Sequence, residues 1–161
     1  PDIGVGASTP DGTLMAFNLD DSPLGDGLLI AVEQTGNSAP ATGQFQLQGI
    51  ALALSPDTNR IRHFDNALLT IDSSSAATLS PVALTSSHSV ANETVTKPAL
   101  ETLPDIALTY SQSGDGQVQF TAGNLVFDGF HTASQDQFYL RFRTNEGNEE
   151  QIGLVIATRL P

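Results

Sequence analysis

The sequence predicts an all-β fold of antiparallel strands, arranged as a two-sheet sandwich of jelly-roll or Greek-key type, with a closed barrel as the alternative. Two patterns carry that expectation. Apolar residues recur at every second position in segment after segment, the period of a half-buried strand. Between those segments lie short clusters of Gly, Asp, Asn, Ser and Pro, the residues that turns require. No fixed-period repeat is visible, which disfavours a propeller or a solenoid. The 161 residues suit one domain over 1–161.

Taken in order, residues 2–7 form a short apolar strand, and 13–19 place Met15, Phe17 and Leu19 on one face. Residues 27–33 do the same with Leu28, Ile30 and Val32. The next strand is longer: Phe45, Leu47 and Gly49 hold one phase, then Ile50, Leu52 and Leu54 hold the other. A slip of one residue beside a glycine predicts a β-bulge there. Further strands are expected over 60–64, 67–72, 78–84, 90–96, 106–111, 117–121, 124–127, 137–144 and 151–159. Turns are expected at Asp11-Gly12, Gly25-Asp26-Gly27, Ser55-Pro56-Asp57, Gly114-Asp115-Gly116, Asp128-Gly129 and Asn145-Glu146-Gly147. Residues 73–104, dense in Ser, Ala and Thr and carrying Pro81, Pro98 and Pro104, read as a long crossing connection with edge strands or as a flexible excursion.

Charge restricts the partners. One lysine, Lys97, and five arginines stand against eighteen acidic residues, for a formal net charge of −12. That balance opposes binding to nucleic acid or to an anionic membrane, which needs clustered Lys and Arg. No apolar run approaches the ~20 residues of a membrane-spanning helix, so membrane insertion is not expected. Without cysteine, thiol catalysis and Cys-ligated zinc are excluded. The Lys-poor, Ser/Thr/Gln-rich composition and a start at Pro1 without Met point to export and a secreted or cell-surface location. Met removal before Pro1 is the cytosolic alternative.

Few residue groups suggest a site. Asp20, Asp21 and Asp26 lie in one loop where carboxylates could converge on Ca²⁺; Pro23 and Leu24 interrupt the oxygen ligands, and a plain hairpin loop is the competing reading. Otherwise no cofactor is implied. The strand 137–143 sends Phe138, Leu140 and Phe142 to one face and Tyr139, Arg141 and Arg143 to the other. Such a face can stack on sugars or grip carboxylates, and it is equally the pattern of a cross-strand salt-bridge ladder. Arg60 and Arg62, with Ile61 and His63 opposite, repeat the pattern, so adjacency of the two rows would build one basic stripe. His63, His88 and His131 lack metal-site spacing and read as surface or turn residues. No G-x-S-x-G elbow is present, and the glutamates fall mostly near turns, so no enzyme is expected. Asn92-Glu93-Thr94 fits the glycosylation sequon.

The stretch 151–159 alternates Ile152, Leu154 and Ile156 against Gly153, Val155 and Ala157, apolar on both faces. Such a strand belongs in the middle of a sheet, either its own or a neighbouring subunit's. The overall pattern resembles bacterial surface and pilus-type β-sandwich subunits at the level of fold alone, and that likeness assigns no residue a role. The expected function is therefore a non-enzymatic structural or adhesive subunit of a surface filament, its partners copies of itself, assembling by strand addition or sheet-edge contacts. A carbohydrate-binding module or surface-receptor ligand is the alternative, weakened by the absence of Trp and the presence of only two Tyr. A viral capsid decoration protein is the third.

Overall fold

A computed structural model of the chain describes residues 6–8, 10, 14–19, 27–33, 39–54, 58–89, 94–96, 99–146 and 149–161. Every regular element in it is a β-strand: β1 (Gly6–Ser8), β2 (Leu14–Leu19), β3 (Gly27–Val32), β4 (Gly43–Leu54), β5 (Thr58–Ile71), β6 (Ala76–Ser80) and β7 (Val82–Ser89), then β8 (Thr94–Val95), β9 (Ala99–Thr102), β10 (Ile106–Gln112), β11 (Gln117–Ala122), β12 (Leu125–His131), β13 (Gln137–Glu146) and β14 (Glu149–Arg159). The Asp20, Asp21 and Asp26 loop, the Asn92 sequon and the turns expected at Asp11-Gly12 and Ser55-Pro56-Asp57 lie outside the described residues.

All pairings are antiparallel. Strands β4, β14, β13, β12, β11, β10, β6 and β5 hydrogen-bond in that order, and β5 returns to β4, so eight strands close into a barrel. The barrel, the expected alternative, thus forms in place of the sandwich. Its strands follow one another around the ring in chain order, with no Greek-key crossing and a single long excursion, β7 to β9, between β6 and β10, and closure leaves no open edge among the eight. A separate three-stranded sheet pairs β1 with β2 and β2 with β3.

Residues 73–104 are not a mere connection, because they supply β6, the strand that closes the ring between β5 and β10. β5 is long enough to serve two neighbours: Leu68 to Ile71 pair with β6, and Thr58 to Phe64 pair with β7. Pro81, which has no N–H to give a ladder, separates β6 from β7. Beyond it, β7 leaves the ring and carries β8 and β9 as a flared lobe.

The bulge expected at Gly49-Ile50 is on the neighbouring strand. Leu47 pairs with Ala67 and Gly49 with Phe64, so β5 holds the extra residue, and Asn66 takes a left-handed φ of 61° there. β4 itself alternates without a break: Phe45, Leu47, Ala51 and Ala53 are buried, whereas Ile50 and Leu52 face out. The apparent slip therefore marks exposed aliphatic residues on the outer wall. Asp128-Gly129 is likewise not a turn but the middle of β12.

The barrel interior is filled by side chains, as eight strands allow. Phe138 is the hub, with its ring centroid 4.8 Å from Phe45 and 6.0 Å from Phe120, both edge-on. Tyr110 stacks on Phe120 at 4.8 Å, and Phe142 meets Phe64 and Phe127 at 5.3 and 5.2 Å. One end of the barrel is tied shut by residues 39–42: Gln112 Oε1 accepts from Ala41 N–H and from the Tyr110 hydroxyl (2.6 Å), and Gln112 Nε2 donates to Ala39 O. Arg159 adds an ion pair to Asp136 (3.0 Å), bonds to Thr42 O and Gln135 O, and a position over the Phe45 ring.

Burial pushes the Tyr110 phenol above its usual value. A group whose folded pKa is raised stabilises the fold fully below its unfolded value, about 10, and loses that contribution as pH rises through the folded value. Unfolding midpoints recorded up a pH series are therefore expected to fall above about pH 10. Tyr110→Phe is expected to flatten that fall, with Tyr139, raised for the same reason, accounting for the remainder.

Candidate interaction surface

Cross-strand partners share a face, so the registers build the outer wall of the barrel row by row. The middle row runs Ser111, Gln119, Asp128, Arg141, Leu154, Ile50 and His63, crossing from β10 to β5. On one side of it lie Thr109, Thr121, Val126, Arg143, Ile152, Leu52 and Ile61. On the other lie Gln117, Phe130, Tyr139, Ile156 and Gln48. The wall is thus polar over β10 and β11 and aliphatic over β14, β4 and β5.

The aliphatic half is a continuous patch. Ile50, Leu52, Ile61, Ile152, Leu154 and Ile156 are 42, 39, 38, 47, 42 and 40% exposed. Together they present on the order of 400 Å² of apolar surface, within the range where a protein's largest patch is commonly its interaction site. A groove of about 390 Å³ runs beside it, lined by Ile50, Leu154, Ile156, Tyr139 and Arg141, and by Ile30 of the small sheet. The three rows contain one carboxylate, Asp128, in a chain of net charge −12.

The boundary between the halves is the Asp128–Arg141 pair. Arg141 Nε donates to Asp128 Oδ1 at 3.2 Å and its terminal nitrogen to Oδ2 at 2.6 Å, a bidentate contact that holds the guanidinium pKa above its usual value. The salt-bridge reading of this row therefore holds for Arg141. Tyr139 is half-buried and donates its hydroxyl to Gln137 Oε1 at 2.9 Å. Arg143 is exposed one row away, beside Val126 and Ile152.

The two arginine rows do not form a stripe. β13 and β5 are separated by β14 and β4, and the rows lie on opposite faces. Arg62 and Arg60 pair with Ala51 and Ala53, which are buried on the inner side, and Arg62 donates to the buried Gln151 at 2.9 Å. The bulge at Asn66 is the cause, since it shifts the phase of β5 so that Phe64, Arg62 and Arg60 continue the inner face begun by Ala67 and Leu69.

His63 is an exposed outer residue beside Ile50, and only the backbone of His88 is described. His131 departs from expectation. It is buried on the inner face, with Nδ1 2.7 Å from Thr132 O and its ring edge-on to Phe138 at 6.1 Å. Among the described residues no three His, Asp or Glu stand together as a metal group. Sequence reasoning missed Phe130, Gln119 and Ser111, because their place beside Arg141 follows from the register of four strands and from no local signal.

No protein-family model matches the chain, and no curated protein matches its sequence.

Proposed function

We propose that the protein is a non-enzymatic structural or adhesive subunit that works outside the cell and assembles with copies of itself through the aliphatic half of its outer wall. The exposed Ile50, Leu52, Ile61, Ile152, Leu154 and Ile156 patch carries this reading, because a strongly acidic chain gains nothing in solubility from keeping such a surface in water. A face, not a terminal strand, makes the contact: β14 has β13 on one edge and β4 on the other. An additional sheet-edge contact fits β9, where Leu100 is 66% exposed. The inward placement of apolar residues is the reverse of a membrane-spanning barrel, which supports a partner made of protein. The extracellular setting rests on the Lys-poor, Ser/Thr-rich composition.

Light scattering on the purified protein is expected to give a mass above that of the 16.9 kDa chain, rising with protein concentration and with NaCl as mutual repulsion is screened. The double variant Ile50→Asp, Leu154→Asp, both at outward positions, is expected to run as a folded monomer with an unchanged circular dichroism spectrum. A monomeric wild-type protein at all concentrations would refute the proposal.

A further inference from the structure

We infer that the polar half of the wall binds a neutral, hydroxyl-rich chain, an oligosaccharide, at a site that meets the aliphatic patch at the Asp128–Arg141 pair. An open trough of about 480 Å³ crosses β10, β11, β12 and β13, and its main polar groups are Ser111, Gln117, Gln119, Asp128 and Arg141, with Phe130 at the side. Four adjacent strands span about 14 Å at their usual spacing, which gives the trough the length of a short oligosaccharide rather than of a single small molecule.

The chemistry of the lining selects the ligand. Amides and hydroxyls each donate and accept, as sugar hydroxyls do, so either orientation of a ligand hydroxyl can be met. Asp128 and Arg141 cancel in charge, and their bidentate contact uses two of the five guanidinium N–H donors. Asp128 is held in place by the contact, so its remaining lone pairs and the remaining Arg141 N–H groups form a fixed array at the β13 end of the trough. Phe130 lines the trough at one side, with its cross-strand partner Tyr139 beside it, and an aromatic ring there suits the C–H faces of a sugar. A trough without net charge on a chain of net charge −12 disfavours anionic ligands and favours neutral ones.

The aromatic economy of the fold explains why this surface is so small. Phe45, Phe64, Phe120, Phe127, Phe138 and Phe142 are all buried in the barrel, with Tyr110. Among the described residues, Phe130 and Tyr139 are the rings left on this wall, and they stand next to the Asp128–Arg141 ion pair.

The test is a two-dimensional NMR titration of the folded protein with four neutral hexasaccharides, β-1,4-glucan, β-1,3-glucan, α-1,4-glucan and β-1,4-mannan, and with an oligogalacturonate as an anionic control. At least one neutral probe is expected to give saturable shifts confined to residues near Ser111, Gln119, Asp128, Phe130 and Arg141. Gln119→Ala, which leaves the ion pair intact, and Arg141→Ala are each expected to weaken that binding by about tenfold, the loss of roughly one hydrogen bond. Leu52→Asp, Ile61→Asp, a pair on β4 and β5 outside the trough, should lower self-association and leave glycan binding unchanged, so failure of self-assembly and failure of glycan binding are read separately. The inference is overturned by the absence of saturable shifts at millimolar concentration of every neutral probe. It is equally overturned by equal binding of oligogalacturonate, or by Gln119 and Arg141 variants that bind as the wild type does.

Discussion

Phe138→Ala is expected to cost about 3–5 kcal/mol, enough to remove a large part of the stability of a domain of this size. The physical reason is the position of this ring. Phe138 is fully buried, meets Phe45 and Phe120 edge-on and His131 on a third side, and so joins four strands, β13, β4, β11 and β12, across the barrel interior. Truncation leaves a void in a closed wall of hydrogen-bonded strands, which cannot collapse onto it without breaking pairs. Urea denaturation followed by far-UV circular dichroism measures the loss. Phe130→Ala, half-buried on the outer wall, is the control and is expected to cost well under half as much.

Gly129→Val is expected to prevent folding or to destabilise by at least ~3 kcal/mol. A Cβ at this position would stand 1.9 Å from Tyr139 O and 3.0 Å from Leu140 Cα, backbone atoms of the neighbouring strand that cannot move aside singly. β12 and β13 approach this closely because Gly129 pairs with Leu140 in the middle of the ladder, between Asp128–Arg141 and Phe130–Tyr139. The strands would have to part there, and the ion pair with them. Soluble yield and the urea midpoint of Gly129→Ala, then of Gly129→Val, are expected to fall in that order; a valine variant as stable as the wild type would show that the strands do not close at this point.

Strand identity was legible in the sequence, because alternation is a local property: 27–33, 106–111, 117–121, 137–144 and 151–159 all fall on strands. Ring closure was not, because it depends on which distant strand β6 and β14 choose, and alternation carries no information about partners. The misplaced bulge has a more specific cause. Ile50 and Leu52 are as apolar as any core residue, so their phase looked like the buried one, while the inner positions beside them hold only Ala51 and Ala53. An exposed aliphatic wall and a shifted core are indistinguishable until the register is known.

Tyr139 and Arg141 were identifiable because Phe138, Leu140 and Phe142 fixed the inner phase of their strand. Arg60 and Arg62 were not placeable, since Asn66 resets the phase of β5 by one residue and puts them in line with the inner-face positions, Arg60 still exposed. The dual apolar faces of β14 mark a strand that needs neighbours; those neighbours are β13 and β4 of its own barrel, and the second face is left on the outside.

Methyl-resolved NMR of Ile- and Leu-labelled protein over a dilution series follows self-assembly through the aliphatic wall residue by residue. Concentration-dependent shifts and line broadening are expected at Ile50, Leu52, Ile61, Ile152, Leu154 and Ile156, with the buried Leu47, Leu69 and Leu140 methyls unmoved. Methyl signals of the wall that stay constant from micromolar to millimolar protein, or changes confined to Leu100 and the lobe, would contradict it.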